Sequence, residues 1–139
     1  MKKSDIKNSA DMFLYKAIVD FNSAKCLLDN FEKQNIEIDI EKIYFDFQQS
    51  AEKLLKSILT YNGISIKKTH DLEELIRICF ENNIKLIEDI ETLIDLNEYA
   101  VEGRYDIICD DINDAPLYTD IIQTFIKFTQ QEINKVDTK

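Results

Sequence analysis

The chain has 139 residues, 45% of them hydrophobic, and its 27 Asp and Glu outnumber 17 Lys and Arg to give a formal net charge of −10. That length can bury one core without a metal or disulfide staple. The acidic balance excludes general DNA binding, because a grip on the phosphate backbone needs clustered Lys or Arg. With only two Gly and one Pro to break it, the chain is expected to be all-α, a single domain over 1–139 with frayed ends at about 1–8 and 136–139.

Cys26, Cys79 and Cys109 are widely spaced, form no CxxC pair and fit buried free thiols in a reducing compartment. The opening MKKSDIKNSADMF has no apolar run behind its lysines, so no secretory signal is expected. No stretch reaches the ~18 uncharged apolar residues of a membrane span, and the expected location is cytoplasmic.

A first helix is predicted from Ser9, as N-cap, to about Gln34, with Leu14, Ala17, Ile18, Phe21, Ala24, Leu28 and Phe31 along one stripe. NIEID alternates like a strand but finds no partner, so it is expected to connect. The second helix, Ile40 to Tyr61, carries the strongest seam: Ile43, Phe47, Ala51, Leu54, Leu55, Ile58 and Leu59. Gln48, Gln49, Glu52, Lys53 and Lys56 fall largely off that seam and read as a solvated face. Gly63 is expected to end the helix in the left-handed conformation.

After the loop ISIKKTH, the spacing of Asp71 and Glu74 predicts a capping box that opens a third helix. A fourth is predicted over Leu86 to Val101, with Ile87, Ile90, Leu93, Ile94, Asn97 and Val101 inward. DIICDDINDA reads as an acidic loop. Its Asp106, Asp110 and Asp111 lack the Gly turn and further ligands of a calcium loop, so no metal site and no cofactor are expected. Pro116 opens the last helix, which runs to about Val136 on Ile121, Ile122, Phe125, Phe128, Thr129 and Ile133.

Three blocks, DFNSAKCLLDN, FDFQQSAEKLLKSILTYNGISIKKTHDLEEL and EYAVEGRYD, together resemble the HEPN family (higher eukaryotes and prokaryotes nucleotide-binding) from about Asp11 to Asp106. The resemblance implies an antiparallel bundle of four main helices plus a shorter fifth, often homodimeric. It also implies a small nucleotidyltransferase as partner, in some pairs a toxin–antitoxin system. Many members are metal-independent ribonucleases that use an Arg and a His four to six residues later. Here Arg104 is followed by Tyr105 and Asp106, Cys109 stands five positions on, and no His occurs after His70. Arg can stabilise a charged phosphorane but does not shuttle protons near neutrality, work suited to an imidazole.

The expectation is therefore a non-catalytic nucleotide-binding or nucleotidyltransferase-partner module, homodimeric through surface near its second and fourth helices. The alternatives are a ribonuclease toxin with a degenerate site, pairing Arg104 with His70, and a purely structural interaction module. The candidate ligand-binding residues are His70, Arg104, Tyr105 and Lys53. Each also has a structural reading. His70 can pin the loop by bonding a backbone carbonyl or a second-helix side chain, or meet a phosphate at a helix N-terminus. Arg104 can neutralise helix carbonyls or fork onto phosphate, and Tyr105 can fill core space or stack on a base. Lys53 can be a solvated lysine or point into the same cleft.

Overall fold

Small residues decide how the first two helices meet. Ala10, Ala17 and Ala24 recur every seven residues along α1 (Ser9–Lys33), and Ser50 and Ser57 recur at the same interval along α2 (Ile40–Tyr61). All five are buried. Ser57 Oγ donates to the Ala10 carbonyl and Ser50 Oγ to the Ala17 carbonyl, each at 2.8 Å. The two pairs run in opposite directions along the helices, so α1 and α2 are antiparallel. With so little bulk at the crossing, a two-atom side chain can bridge one backbone to the other. Each hydroxyl occupies a second lone pair of a helical carbonyl, so close packing leaves no donor stranded.

The computed structural model describes residues 1–33, 36–66, 68–100 and 111–135. Among them lie α1, α2, α3 (Leu72–Glu81), a 3₁₀ helix (Ile90–Tyr99), α4 (Ala115–Ile133) and a short 3₁₀ turn (Lys3–Asp5), with no strand. The expected all-α bundle is what forms. α2 is its axis, packing against α1, α3, α4 and the 3₁₀ helix. Buried side chains make one cluster from Leu14 to Ile133. Phe47 lies fully buried among Phe21, Tyr44 and Tyr118, at ring centroid separations of 6.3 to 6.4 Å.

Helix ends follow local chemistry. Gly63 takes φ 71°, and the Gly63 and Ile64 amides return to the Thr60 and Leu59 carbonyls, each at 3.0 Å. This Schellman closure is the expected glycine stop. Asn83 repeats it after α3 at φ 57°, its amide on Phe80 and that of Ile84 on Cys79. At the first helix the cap is Asn8, not Ser9. Asn8 Oδ1 accepts from the Asp11 amide at 2.8 Å, whereas Ser9 is already the first helical residue. Residues 1–8, read above as a loose end, contain the 3₁₀ turn, and the Lys7 amide donates to Asp11 at 3.0 Å. Val136, with the rest of 136–139, lies outside the described residues.

The fourth predicted helix needs the largest correction. Residues 90–99 wind as a 3₁₀ helix whose inward line is Ile90, Leu93 and Leu96, with Tyr99 partly buried against Tyr44. Side chains three apart eclipse in a 3₁₀ helix, so the core line steps strictly by three and takes in Leu96, which α-periodicity omits. Asn97, expected inward, is drawn instead to the start of α3. Its Oδ1 accepts from the Leu72 amide at 2.9 Å and its Nδ2 donates to Asp71 at 2.8 Å. Val101 lies outside the described residues.

Tyr61 is the one exposed residue of α2, because four elements already pack against that helix. The cysteines divide as well. Cys79 is fully buried, and burial pushes its thiol up to about 12. Cys26, expected inside, is exposed, and Cys109 lies outside the described residues. In a Cys109→Ser background at pH 8, iodoacetamide is expected to alkylate one thiol quickly. Cys79 would have roughly one part in ten thousand as thiolate and should react only on unfolding. Two fast thiols by mass spectrometry would contradict the packing of α3.

Candidate functional site

A helix covered on all sides must bury some of its polar residues, and α2 buries Asp46, Gln48, Ser50, Glu52 and Ser57. The solvated face expected at Gln48 and Glu52 is thus an internal polar seam. A carboxylate taken out of water costs several kcal/mol unless partnered, and Glu52 is only 3% exposed. It has three donors. Lys56 Nζ lies 3.0 Å from Oε2, His70 Nδ1 lies 2.9 Å from Oε1, and Gln48 Nε2 lies 3.3 Å from Oε1. Gln49 Nε2 donates to Gln48 Oε1 at 2.7 Å, which fixes the direction of the Gln48 amide.

This bonding sets the state of His70. An ionised carboxylate only accepts, so the nitrogen facing it carries the proton, and a neutral imidazole then presents a bare Nε2. The His70 side chain is 67% exposed while that of Glu52 is 4% exposed. The ring is therefore gripped on one edge and open to solvent over most of its surface. Lys56, with a side chain 14% exposed, neutralises the carboxylate from its other oxygen. A carboxylate orienting an imidazole is the arrangement in which histidine serves as proton acceptor or ligand contact.

The junction around His70 is tied from three directions. Gln48 Nε2 donates to the His70 carbonyl at 3.0 Å. Asp71 caps α3, accepting from the Glu73 amide at 2.9 Å and the Glu74 amide at 3.5 Å. The Asp71 amide, which a reciprocal capping box would direct to Glu74, donates to Thr69 Oγ1 at 3.1 Å. Asn97 closes the third side. The structural reading of His70, contact with a second-helix side chain, is thus present in the geometry together with an open ring edge.

The other candidates fall elsewhere. Lys53, adjacent to Glu52 in sequence, turns to α1 and pairs with Asp20. Burial pushes the Asp20 carboxyl above its ordinary value, against the pull of Lys53. Nearby, Asp46 receives Lys42 Nζ at 3.0 Å and Ser23 Oγ at 3.1 Å. Arg104, Tyr105 and the acidic loop through Asp110 lie outside the described residues. The described chain on both sides of them meets Tyr44: the Tyr99 ring lies tilted against it at 5.1 Å between centroids, and Tyr44 Oη donates to the Asp111 carbonyl at 2.8 Å. Among the described residues no three His, Cys, Asp or Glu side chains converge as a metal site requires. No helix among them is long and apolar enough to cross a membrane.

Glu52, Gln48 and Lys56 are the site residues that sequence reasoning missed. The signal was available. Gln48, Glu52 and Lys56 stand one turn apart on a single line of α2, and Asp46, Ser50 and Ser57 break the helix's apolar surroundings at further points. So many polar residues spread around one helix is a mark of burial on several sides, once each can be given a partner.

The described residues thus form an all-helical bundle with a buried carboxylate gripping a histidine at the mouth of a short helix. The family model for the HEPN domain matches residues 10–134, and the chain belongs to that family. Searches of curated proteins and of solved structures returned no match.

Proposed function

We propose that this HEPN protein is a nucleotide-binding module that acts as a homodimer alongside a small nucleotidyltransferase in the cytoplasm, without chemistry of its own. The observation that supports it is the Glu52–His70 pair. A ring held at Nδ1 and open at Nε2 can accept from a base or ribose donor, or, once protonated, meet a phosphate. Arg104 and Tyr105 complete the proposed ligand contact, as a phosphate fork and a base-stacking ring. Lys53 would reach a ligand only by leaving Asp20, so it contributes less. Met12, Val19 and Cys26, seven residues apart and exposed along α1, are the proposed self-association stripe.

Calorimetric titration with ribonucleotides tests the reading. Binding weakened at least tenfold by His70→Ala and by Arg104→Ala is the expected result. Absence of heat at millimolar nucleotide, with the protein folded, would reject it. Sedimentation should give a dimer that Val19→Glu dissociates.

A second reading draws on the same pair. A fixed imidazole tautomer is what a general base on a 2′-hydroxyl needs, so the pair also fits a metal-independent ribonuclease toxin with a degenerate site. Incubation with RNA separates the two. Products ending in 2′,3′-cyclic phosphate, formed by the native chain and not by His70→Ala, would establish the toxin; intact RNA would remove it.

A further inference from the structure

The stretch from Asp71 to Tyr99, which contains α3 and the 3₁₀ helix, carries most of this protein's net negative charge. From Asp71 to Tyr99 there are nine Asp and Glu against Arg77 and Lys85, a net of −7 within a chain of −10. The two elements border an open groove of about 550 Å³. Ile76, Phe80 and Ile94 supply its apolar lining, and Glu73, Glu81, Glu91 and Arg77 its charged lining.

Two features make this more than a gap between helices. Phe80, a large aromatic, is 48% exposed there, although its neighbour Cys79 is fully buried. Arg77, the groove's one cation among its lining residues, already lies 2.7 Å from Glu81 and 4.0 Å from Glu74. The field over the groove is therefore that of carboxylates. Such a surface repels nucleic acid and a second copy of the same acidic chain, and attracts cations. Apolar anchors flanked by fixed charge are the pattern read by an amphipathic helix lying in a groove.

We propose that this groove docks a Lys- and Arg-rich amphipathic segment of a partner protein, its apolar side chains on Phe80 and Ile94 and its cations on Glu73 and Glu91. The inference stands apart from the His70 site and does not depend on nucleotide binding.

The test uses the full chain, ¹⁵N-labelled, with an 18-residue synthetic helix bearing leucines at three- and four-residue steps and lysines elsewhere. A second peptide replaces every lysine with glutamate. Micromolar binding of the lysine peptide, with shifts confined to α3 and the 3₁₀ helix, is expected. Glu73→Lys/Glu91→Lys and, separately, Phe80→Ser should each weaken it at least tenfold, and the glutamate peptide should not bind. All three substituted residues are exposed, and circular dichroism checks that the variants stay folded. The proposal is overturned if the lysine peptide fails to bind, or if its shifts scatter over the acidic surface. Equal affinity for Phe80→Ser also overturns it. So does conversion of a dimer to a monomer by that substitution, which would make the groove a contact between copies.

Discussion

Glu52→Ala should lower the unfolding free energy by about 3 kcal/mol, the range found when one member of a buried ion pair is removed. The substitution strands Lys56, whose side chain is 14% exposed, and leaves the Gln48 amide and the His70 ring edge without their common acceptor. Urea denaturation of wild type and variant gives the difference directly. His70→Ala should cost less, under about 1 kcal/mol, because an exposed partner is rehydrated when it loses its bond. A double variant, Glu52→Leu with Lys56→Met, should recover part of the loss, since it removes both charges rather than one. Equal losses for Glu52→Ala and the double variant would show that packing, not the unpaired ammonium, dominates at this point.

Phe47→Ala should be at least as damaging, about 3–5 kcal/mol, with a fall of roughly 10–20 °C in melting temperature. Phe47 is fully buried and meets rings from α1, α2 and α4 through Phe21, Tyr44 and Tyr118. No single neighbour can collapse into the space. The loss would loosen Tyr118 too, whose hydroxyl burial, with Asp95, Asp114 and Glu98 nearby, pushes up to about 12. Phe47→Leu, keeping most of the volume, should cost about 1–1.5 kcal/mol. Calorimetric scans of the two variants decide the matter. A Phe47→Ala loss below about 1 kcal/mol would mean that this aromatic cluster is not packed as described.

Much of this architecture is legible in the residues because helix boundaries and core lines are local. The stripe through Leu14, Ala17, Phe21, Ala24 and Leu28 is the buried face of α1, and the Ile43 to Leu59 seam lies wholly inside. Gly63 stops α2 because a left-handed residue is needed where the Schellman closure forms. The 3₁₀ helix was not legible. Ile90 and Leu93 also satisfy an α-helical reading, and what departs from it is Leu96 turned inward and Asn97 diverted to the start of α3, a contact spanning 25 residues.

The candidate site was half legible for a related reason. His70 stood out as the only histidine, and the structure adds what makes it chemically specific. Glu52 looked like a solvated residue because hydropathy scores a carboxylate by its own polarity, without regard to the donors that fold around it. Arg104 and Tyr105 rest on sequence alone.

The all-helical class, the glycine stop at Gly63 and the apolar seams of α1 and α2 were determined by the sequence itself, since backbone propensity and periodicity act between residues a few positions apart. Tertiary structure alone decided that α2 is enclosed on every side, and with it that Glu52 is a buried anion with three donors. The physical reason is that burial belongs to a set of neighbours. His70 lies 18 residues along the chain from Glu52, and only the packing of α3 against α2 brings the ring to its carboxylate.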